Sequence, residues 1–331
     1  MLLEILYEKR SINVCECGMK ISIIIPVHNA EGTLLRCVDS IVEQDYYETE
    51  IILVENHSTD NSYLLCKRLS EKYRNVVCTQ TDSYGVSSAR NVGLDNVTGD
   101  VIGFCDADDF QEKNALEIVS KQFEDESLDI LVTGFYRTDT KKNQKRYVSL
   151  NKDCNISVNA LMGRTMSDSR IMGSVWNKFY RASVIKNVRF KESLSYCEDT
   201  HFNMQILAHN KMCKCKIIEA PLYDYVYNPL SVTNDESNFF DENGRLKYIN
   251  SCYAILEECE LDRSIVRQVK ISIVRFANGI LHDYSIEGKK RQLLIEEIRK
   301  HMLDFLLGMW KYSFAHNVKC LIECIGILCF K

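Results

Sequence analysis

Residues 21–29 read ISIIIPVHN. Four isoleucines in five positions, closed by Pro26 and the polar pair His28-Asn29, describe a strand that is buried on both faces and ends in a polar turn. Outward from it the pattern alternates. Leu34, Leu35, Val38, Ile41 and Val42 recur at helical spacing, and residues 51–54 are again a short apolar run. Leu64, Leu65, Cys66, Leu69 and Tyr73 mark a second amphipathic helix, followed by a strand at 76–78, a helix near 88–96 and a strand at 101–105. A helix around 115–123 then leads to a strand at 130–135. Such alternation predicts an α/β fold with a mostly parallel central sheet, helices on both faces and ligands at the carboxyl ends of the strands.

The alternation stops near the lysine-rich turn at 141–145, beyond which the pattern reads as more helical and less regular. From Gly244 onward it is nearly all helix, at 248–258, 264–282 and 289–307. A polar, acidic stretch at 234–243 gives a soft boundary. The organisation expected is an extension at 1–18, a main domain at 19–234 and a helical carboxyl-terminal region at 235–331. Met19-Lys20 stands directly before the first strand, so the extension is expected to carry little function.

Composition narrows the classes. The chain has 331 residues, 26% of them charged, and a net charge of -5, which gives no reason to expect nucleic acid as a partner. With 14 glycines and 3 prolines it is neither low-complexity nor linker-rich. The 15 cysteines are scattered and no pair has the two-residue gap of zinc or redox motifs; Cys213/Cys215 is too closely spaced and lacks a partner pair. With no secretory signal, they read as small buried hydrophobes in a reducing, cytoplasmic compartment. No apolar run reaches the ~20 residues that cross a bilayer. The nearest, 320–330, contains Glu323 and reads first as a terminal helix packed on the second lobe. Its flanking Lys311, Lys319 and Lys331 also suit peripheral contact with the inner face of a membrane, and the helical tail could equally form a homodimer.

The chemistry lies in the polar clusters after the strands. Asp106, Asp108 and Asp109 put three carboxylates within four residues directly after a buried run. They repel unless a cation or donors neutralise them, and alternating aspartates suit a hard divalent ion shared with phosphate oxygens. One aspartate would serve as a helix cap, and Asp109 is assigned to capping or orienting. Arg90, on the first turn of a helix aimed at the same edge, suits phosphate; the plainer reading is a surface arginine paired with Asp95 or a neighbour. Glu55 and Asn56 can read a base or ribose, whereas Ser58, Thr59 and Asp60 read as turn and cap chemistry. Glu198-Asp199 reads equally well as a general-base site or as an acidic helix start.

Taken in order, residues 21–29 (ISIIIPVHN), 52–62 (ILVENHSTDNS), 86–93 (VSSARNVG), 103–109 (GFCDADD) and 196–202 (YCEDTHF) resemble family 2 glycosyltransferases. The resemblance covers Lys20 to about Ser231. It implies a glycosyltransferase A-type fold (that of nucleotide-diphospho-sugar transferases), an inverting mechanism and a nucleotide-diphosphate sugar donor, in which 19–135 bind the nucleotide and 136–234 the acceptor. On that match Pro26, Val27, His28, Asn29, Glu31, Glu55 and Asn56 surround the base, and Ser88 and Arg90 flank the donor. Asp106 and Asp108 form a DXD motif that holds manganese or magnesium, with Asp106 also on the donor. Glu198 and Asp199 stand on the acceptor side, Asp199 as general base. His28 replaces a common tyrosine, Asn56-His57 a common Asp-Gly, and Val226 a common arginine. Residues 174–181 (SVWNKFYR) also fit the family, with Trp176 either stacking on acceptor or packing in the core.

The resulting expectation is a hexosyl- or hexosaminyltransferase using a UDP-sugar donor and a glycan or lipid-linked acceptor in surface polysaccharide synthesis. A nucleotidyltransferase would want a glycine- and lysine-rich phosphate loop, which residues 27–32 lack. A catalytically inactive nucleotide-sugar-binding scaffold would be expected to have lost Asp106, Asp108 and Asp199, and all three are present.

Overall fold

The computed structural model describes residues 18–150, 152–171, 173–228, 239–308 and 314–329. The extension at 1–18 therefore lies outside the described residues except for Gly18, as does the 234–238 part of the soft boundary. Among the described residues ten strands form one sheet. In chain order they are β1 (Ile21–Val27), β2 (Thr49–Glu55), β3 (Val76–Gln80), β4 (Val101–Phe104), β5 (Phe110–Gln111), β6 (Leu128–Asp139), β7 (Gln144–Val148), β8 (Cys154–Ile156), β9 (Lys178–Arg181) and β10 (Lys214–Val226). Their spatial order is β3-β2-β1-β4-β9-β6-β10-β5, with β7 on β6 and β8 on β10.

The first four strands are parallel, as their continuous apolar runs require. Alternate residues of β1 serve opposite faces. Ile24 joins a core with Ile52, Ile102 and Phe104, and Ile23 and Ile25 join another with Leu53, Leu34 and Val38. Helices α1 (Leu34–Val42), α2 (Ser62–Lys72) and α4 (Ala115–Phe123) cover the second face; α3 (Val86–Asn96) covers the first. α3 packs close: a Cβ on Gly93 would lie 2.3 Å from Ile24 Cγ2.

Beyond the β6–β7 hairpin the structure departs from the irregular, more helical chain that the sequence suggested. β9 runs antiparallel between β4 and β6, and β10 is 13 residues long and parallel to β6. The apolar pattern of β10 is broken at Glu219-Ala220-Pro221, where the register slips, and that hides the strand from a periodicity reading. The bulge presses the Glu219 carbonyl onto Gly134 of β6, where a Cβ would sit 2.4 Å from it.

Helices α5 (Val158–Thr165), α6 (Ala182–Ile185) and α7 (Glu198–His209) follow these strands. The predicted tail helices are α8 (Lys247–Glu258), α9 (Arg263–Asp283) and α10 (Gly288–Gly308), with α11 (Phe314–Cys329) after them. Val269, Leu294, Phe305 and Cys324 of this tail share the core that contains Ile24 and Phe104. Among the described residues no helix is long and apolar enough to cross a membrane.

One buried carboxylate ties the amino-terminal ends of the strands together. Glu50 accepts from Lys20 Nζ at 2.7 Å, from the Ser22 hydroxyl, and from the Thr98 N–H at 2.6 Å. Burial opposes its ionisation, but the Lys20, Ser22 and Thr98 donors hold its pKa down to about 2. A depressed pKa gives stability that is present above the ordinary carboxylate pKa and lost as pH falls through the folded value. Glu50→Gln is expected to lose about 2 kcal/mol at pH 7 in urea unfolding and to weaken the acid dependence between ~4.5 and ~2. An unchanged acid limb would contradict this role.

Candidate functional site

The parallel register brings the ends of β1, β2 and β4 to one edge, and the loops there interlock. The Asn56 N–H donates to the Val27 carbonyl, and His28 Nδ1 lies 2.7 Å from the Asn56 carbonyl. Val27 itself is buried in the core and Pro26 is half-buried at the end of β1, so both shape the edge through backbone. Asn29 accepts from the Thr59 N–H at 2.8 Å, and its own N–H donates to the Ser58 hydroxyl. Glu31, exposed, accepts from the Asn61 side chain at 2.8 Å. Asp60 accepts from the Ser62 N–H at the start of α2, in keeping with a structural part for 58–60.

Glu55 and Asn56 are both buried, with their polar atoms engaged. Glu55 accepts from the Ser58 N–H and from Gln80; burial would raise its pKa, and these donors hold it low. The Asn56 side chain donates to the Ser83 carbonyl and accepts from the Gly85 N–H, so it sets the 83–85 loop before α3. Gly85 has φ 121°, a conformation suited to glycine. The buried Ser88 hydroxyl is 2.7 Å from Thr81 Oγ1. Tyr84, which the sequence reading did not single out, is 73% exposed on this loop, with the His28 ring edge-on at 5.4 Å and His57 at 6.2 Å. Its signal was an aromatic residue at a polar turn directly before Gly85.

Arg90 is the centre of the arrangement. It is the fifth residue of α3 rather than on its first turn, and it is 3% exposed. Its Nη1 donates to Asp199 Oδ1 at 2.6 Å and to Glu198 Oε1 at 3.0 Å, and its Nη2 donates to Asp106 Oδ1 at 3.1 Å. The proposed pairing with Asp95 does not form, because Asp95 binds Arg189. Burial works against the guanidinium charge, but Asp199, Asp106 and Glu198 outweigh it and raise its pKa. Phe190 lies under the guanidinium at 5.3 Å.

Glu198 and Asp199 occupy the first turn of α7, so they are a helix start and also face Arg90. Asp199 Oδ2 accepts from the Val175 N–H at 3.3 Å. Burial pushes the Asp199 pKa up to about 8; Arg90 opposes this, and Glu198 and Asp106 add to it. Three carboxylates facing one guanidinium carry excess negative charge, which favours holding a proton on one of them.

The three aspartates after β4 separate in role. The Asp106 N–H donates to the Tyr223 hydroxyl, which itself donates to Asp109 Oδ2 at 2.8 Å. Asp109 also accepts from the Val226 N–H at 2.7 Å, so it orients the end of β10 and caps nothing; the residue before α4 is Asn114. Burial, with Asp106 and Asp108 beside it, pushes the Asp109 pKa well up. Burial and Asp106 also raise that of Asp108, which accepts from Asn228 at 3.2 Å while its backbone carbonyl takes Arg36. Asp106 is held by Arg90, and its charge adds to the cost of ionising Asp108 beside it. That fits a divalent ion whose other ligands are donor phosphates and water, since magnesium-type sites often use only one or two carboxylates. No group of three metal-ligating side chains occurs among the described residues.

The buried segment beneath Asp199 is held by Lys178. Its Nζ donates to the Ile171 and Ser174 carbonyls and to Asn177 Oδ1, and burial brings its pKa down to about 7. Trp176 is 4% exposed and stacks between Tyr223 and Tyr225, at 4.6 and 5.5 Å, which makes it a core residue. Tyr223, Asn228, Arg36 and Lys178 were not identifiable from sequence, since each acts through a partner distant in the chain.

Comparison with known proteins matches this chain to a family. The family model described as glycosyl transferase family 2 matches residues 22–190. Glycosyltransferase GlyA of Streptococcus pneumoniae is 30% identical over 195 residues, 56% of this chain and 28% of that protein. Glycosyltransferase EpsJ of Bacillus subtilis is 29% identical over 219 residues, 64% of this chain and 62% of that protein. The chain therefore spans less than two thirds of the length of either relative. The poly(ribitol-phosphate) beta-N-acetylglucosaminyltransferase TarS of Staphylococcus aureus is 25% identical over 293 residues, 86% of this chain and 44% of that protein. The crystal structure of TarS 1-349 in complex with UDP-GlcNAc superposes with TM-score 0.68 at 19% identity, over 93% of this chain and 89% of that one, a likeness of fold. With the family model covering half the chain, and its span reaching from the second residue of β1 past Arg90, Asp106 and Asp108, this protein belongs to glycosyl transferase family 2.

Proposed function

We propose that this chain transfers a sugar from a UDP-sugar donor to a hydroxyl of a glycan or lipid-linked acceptor, with inversion, in the synthesis of a surface polysaccharide. The observation that carries the reading is that Arg90 holds the acceptor-side Asp199 and the donor-side Asp106 on one guanidinium. A carboxylate that can take a proton and a carboxylate suited to a donor site are thereby fixed beside each other. UDP-GlcNAc is the first donor to test, since TarS was crystallised with it.

The reaction is a single displacement. The acceptor oxygen forms a bond to the anomeric carbon as the bond from that carbon to the diphosphate oxygen breaks, and UDP leaves with the electron pair. The acceptor proton goes to Asp199, whose raised pKa makes it a stronger base than an exposed aspartate. Arg90 orients Asp199 and stabilises it once ionised, and Lys178 fixes the segment whose Val175 N–H holds its second oxygen. Asp106 and Asp108 would hold a manganese or magnesium ion, which supplies neutralisation of the departing diphosphate. Tyr84 and His28 offer ring faces and edges to a base at the mouth of the nucleotide half.

Calorimetry with UDP is expected to give manganese-dependent binding, lost on Asp108→Asn and kept within a few-fold on Asp199→Asn. Metal-independent binding that survives Asp108→Asn would overturn the assignment of the ion. For transfer, Asp199→Asn is expected to lower kcat by roughly 100-fold or more. Because the base acts unprotonated, kcat/KM should climb as pH rises through about 8, the Asp199 value. A rate that falls over that range would contradict Asp199 as base.

A further inference from the structure

The β6–β7 hairpin carries a charge arrangement that the transfer chemistry leaves unused. Arg137 on β6 and Arg146 on β7 are direct partners in the antiparallel register, so both side chains leave the sheet on one face. Like charges directly opposite each other destabilise a hairpin. Both residues are exposed, and neither guanidinium makes a hydrogen bond or ion pair among the described residues. Lys145, next to Arg146 on the other face, is instead tied to Glu112 and to buried Asp224. A fold under no other demand gains by placing a carboxylate opposite one of the arginines.

The two arginines line an open hollow of about 610 Å³ together with Lys142, Gln144, Tyr225 and Tyr227. The hollow's Asp139 is already occupied: it accepts from the N–H groups of Lys141 and Lys142 and pairs with Lys142 Nζ at 3.4 Å. The wall of the hollow is packed against the site. Tyr225 stacks on Trp176 and Trp176 on Tyr223, whose hydroxyl joins Asp106 and Asp109. Asn228, the residue after Tyr227, donates to Asp108. The hollow therefore opens at the same end of the sheet as the aspartates.

We propose that this hollow is an acceptor subsite that grips a phosphate group carried by the acceptor, some distance from the hydroxyl that reacts. Paired guanidinium forks take phosphate oxygens two at a time, and tyrosine faces pack on the carbon–hydrogen surface of an adjoining polyol or sugar. Its place in the reaction rests on the transferase reading; its affinity for phosphate does not.

The test uses the full chain and two probes. One is a soluble glycerol-phosphate oligomer; the other is vesicles of phosphatidylglycerol in phosphatidylcholine, with pure phosphatidylcholine as blank. The variant R137Q/R146Q is compared with R68Q/R74Q, which removes the same charge from exposed arginines in and just after α2. Wild type is expected to bind one probe, and R137Q/R146Q to bind it roughly tenfold more weakly or worse, as loss of two charge-assisted contacts implies. R68Q/R74Q should stay within about twofold, and UDP affinity should be unchanged in both variants. Binding of the oligomer places the phosphate on a polymer, and binding of the anionic vesicles alone places it on a lipid. Equal weakening by the two variants, no binding of either probe by wild type, or a parallel loss of UDP affinity in R137Q/R146Q would overturn the proposal. If wild type binds the phosphate probe as described but never binds UDP, the transferase reading fails and the phosphate site stands.

Discussion

One buried guanidinium faces three carboxylates. Arg90 reaches Asp106 at the end of β4 and Glu198 and Asp199 at the start of α7, in places 16, 108 and 109 residues away along the chain. Leaving those carboxylates together without it would be strongly destabilising, since each would lose its opposite charge in a water-poor setting. Their excess negative charge in turn makes the arginine's own burial tolerable. The end of β4 and the start of α7 are thereby locked into one geometry.

The rest of the fold positions the partners of that guanidinium. α3 can carry Arg90 to the sheet edge only because Gly93 lets the helix lie against Ile24. α7 is held by the stack of Phe202 on Phe190 at 3.9 Å, with Phe104 of β4 edge-on to both. Asn203, one turn after Asp199, bonds to the Tyr180 hydroxyl on β9 and to the Gly173 carbonyl. β9, inserted antiparallel between β4 and β6, is thus the rail on which α7 registers against β4. β10 does the same for the aspartates, through Tyr223 and the Val226 N–H on Asp109.

What could be read from sequence was what local composition records. A strand buried on both faces must be apolar throughout, so β1, β2 and β4 announced themselves, and three aspartates after a buried run can hardly be solvent decoration. The tail helices were legible from their 3.6-residue period. The bulge at Glu219-Ala220-Pro221 broke the pattern of β10, and β9 is only four residues with Lys178 and Arg181 at its ends, so neither was visible. Within the site, residue type did not reveal direction: Asn56 is equally suited to a ribose or to a loop, and here its amide is spent on Ser83 and Gly85. Tyr84 and the Arg137–Arg146 pair depend on exposure and on strand register, which only the folded chain defines.

The shared guanidinium is tested most directly by a double-mutant cycle of unfolding free energies at pH 9, above the Asp199 pKa of about 8 so that both carboxylates are ionised, with Asp106→Asn, Asp199→Asn and the pair. If both carboxylates press on the same Arg90, the repulsion between them is relieved once and not twice. The double variant should then be less stable than the sum of the single changes implies, by about 1 kcal/mol or more. Additivity within ~0.5 kcal/mol would mean that Asp106 and Asp199 are independent, and would contradict a single charge centre joining the two halves of the site.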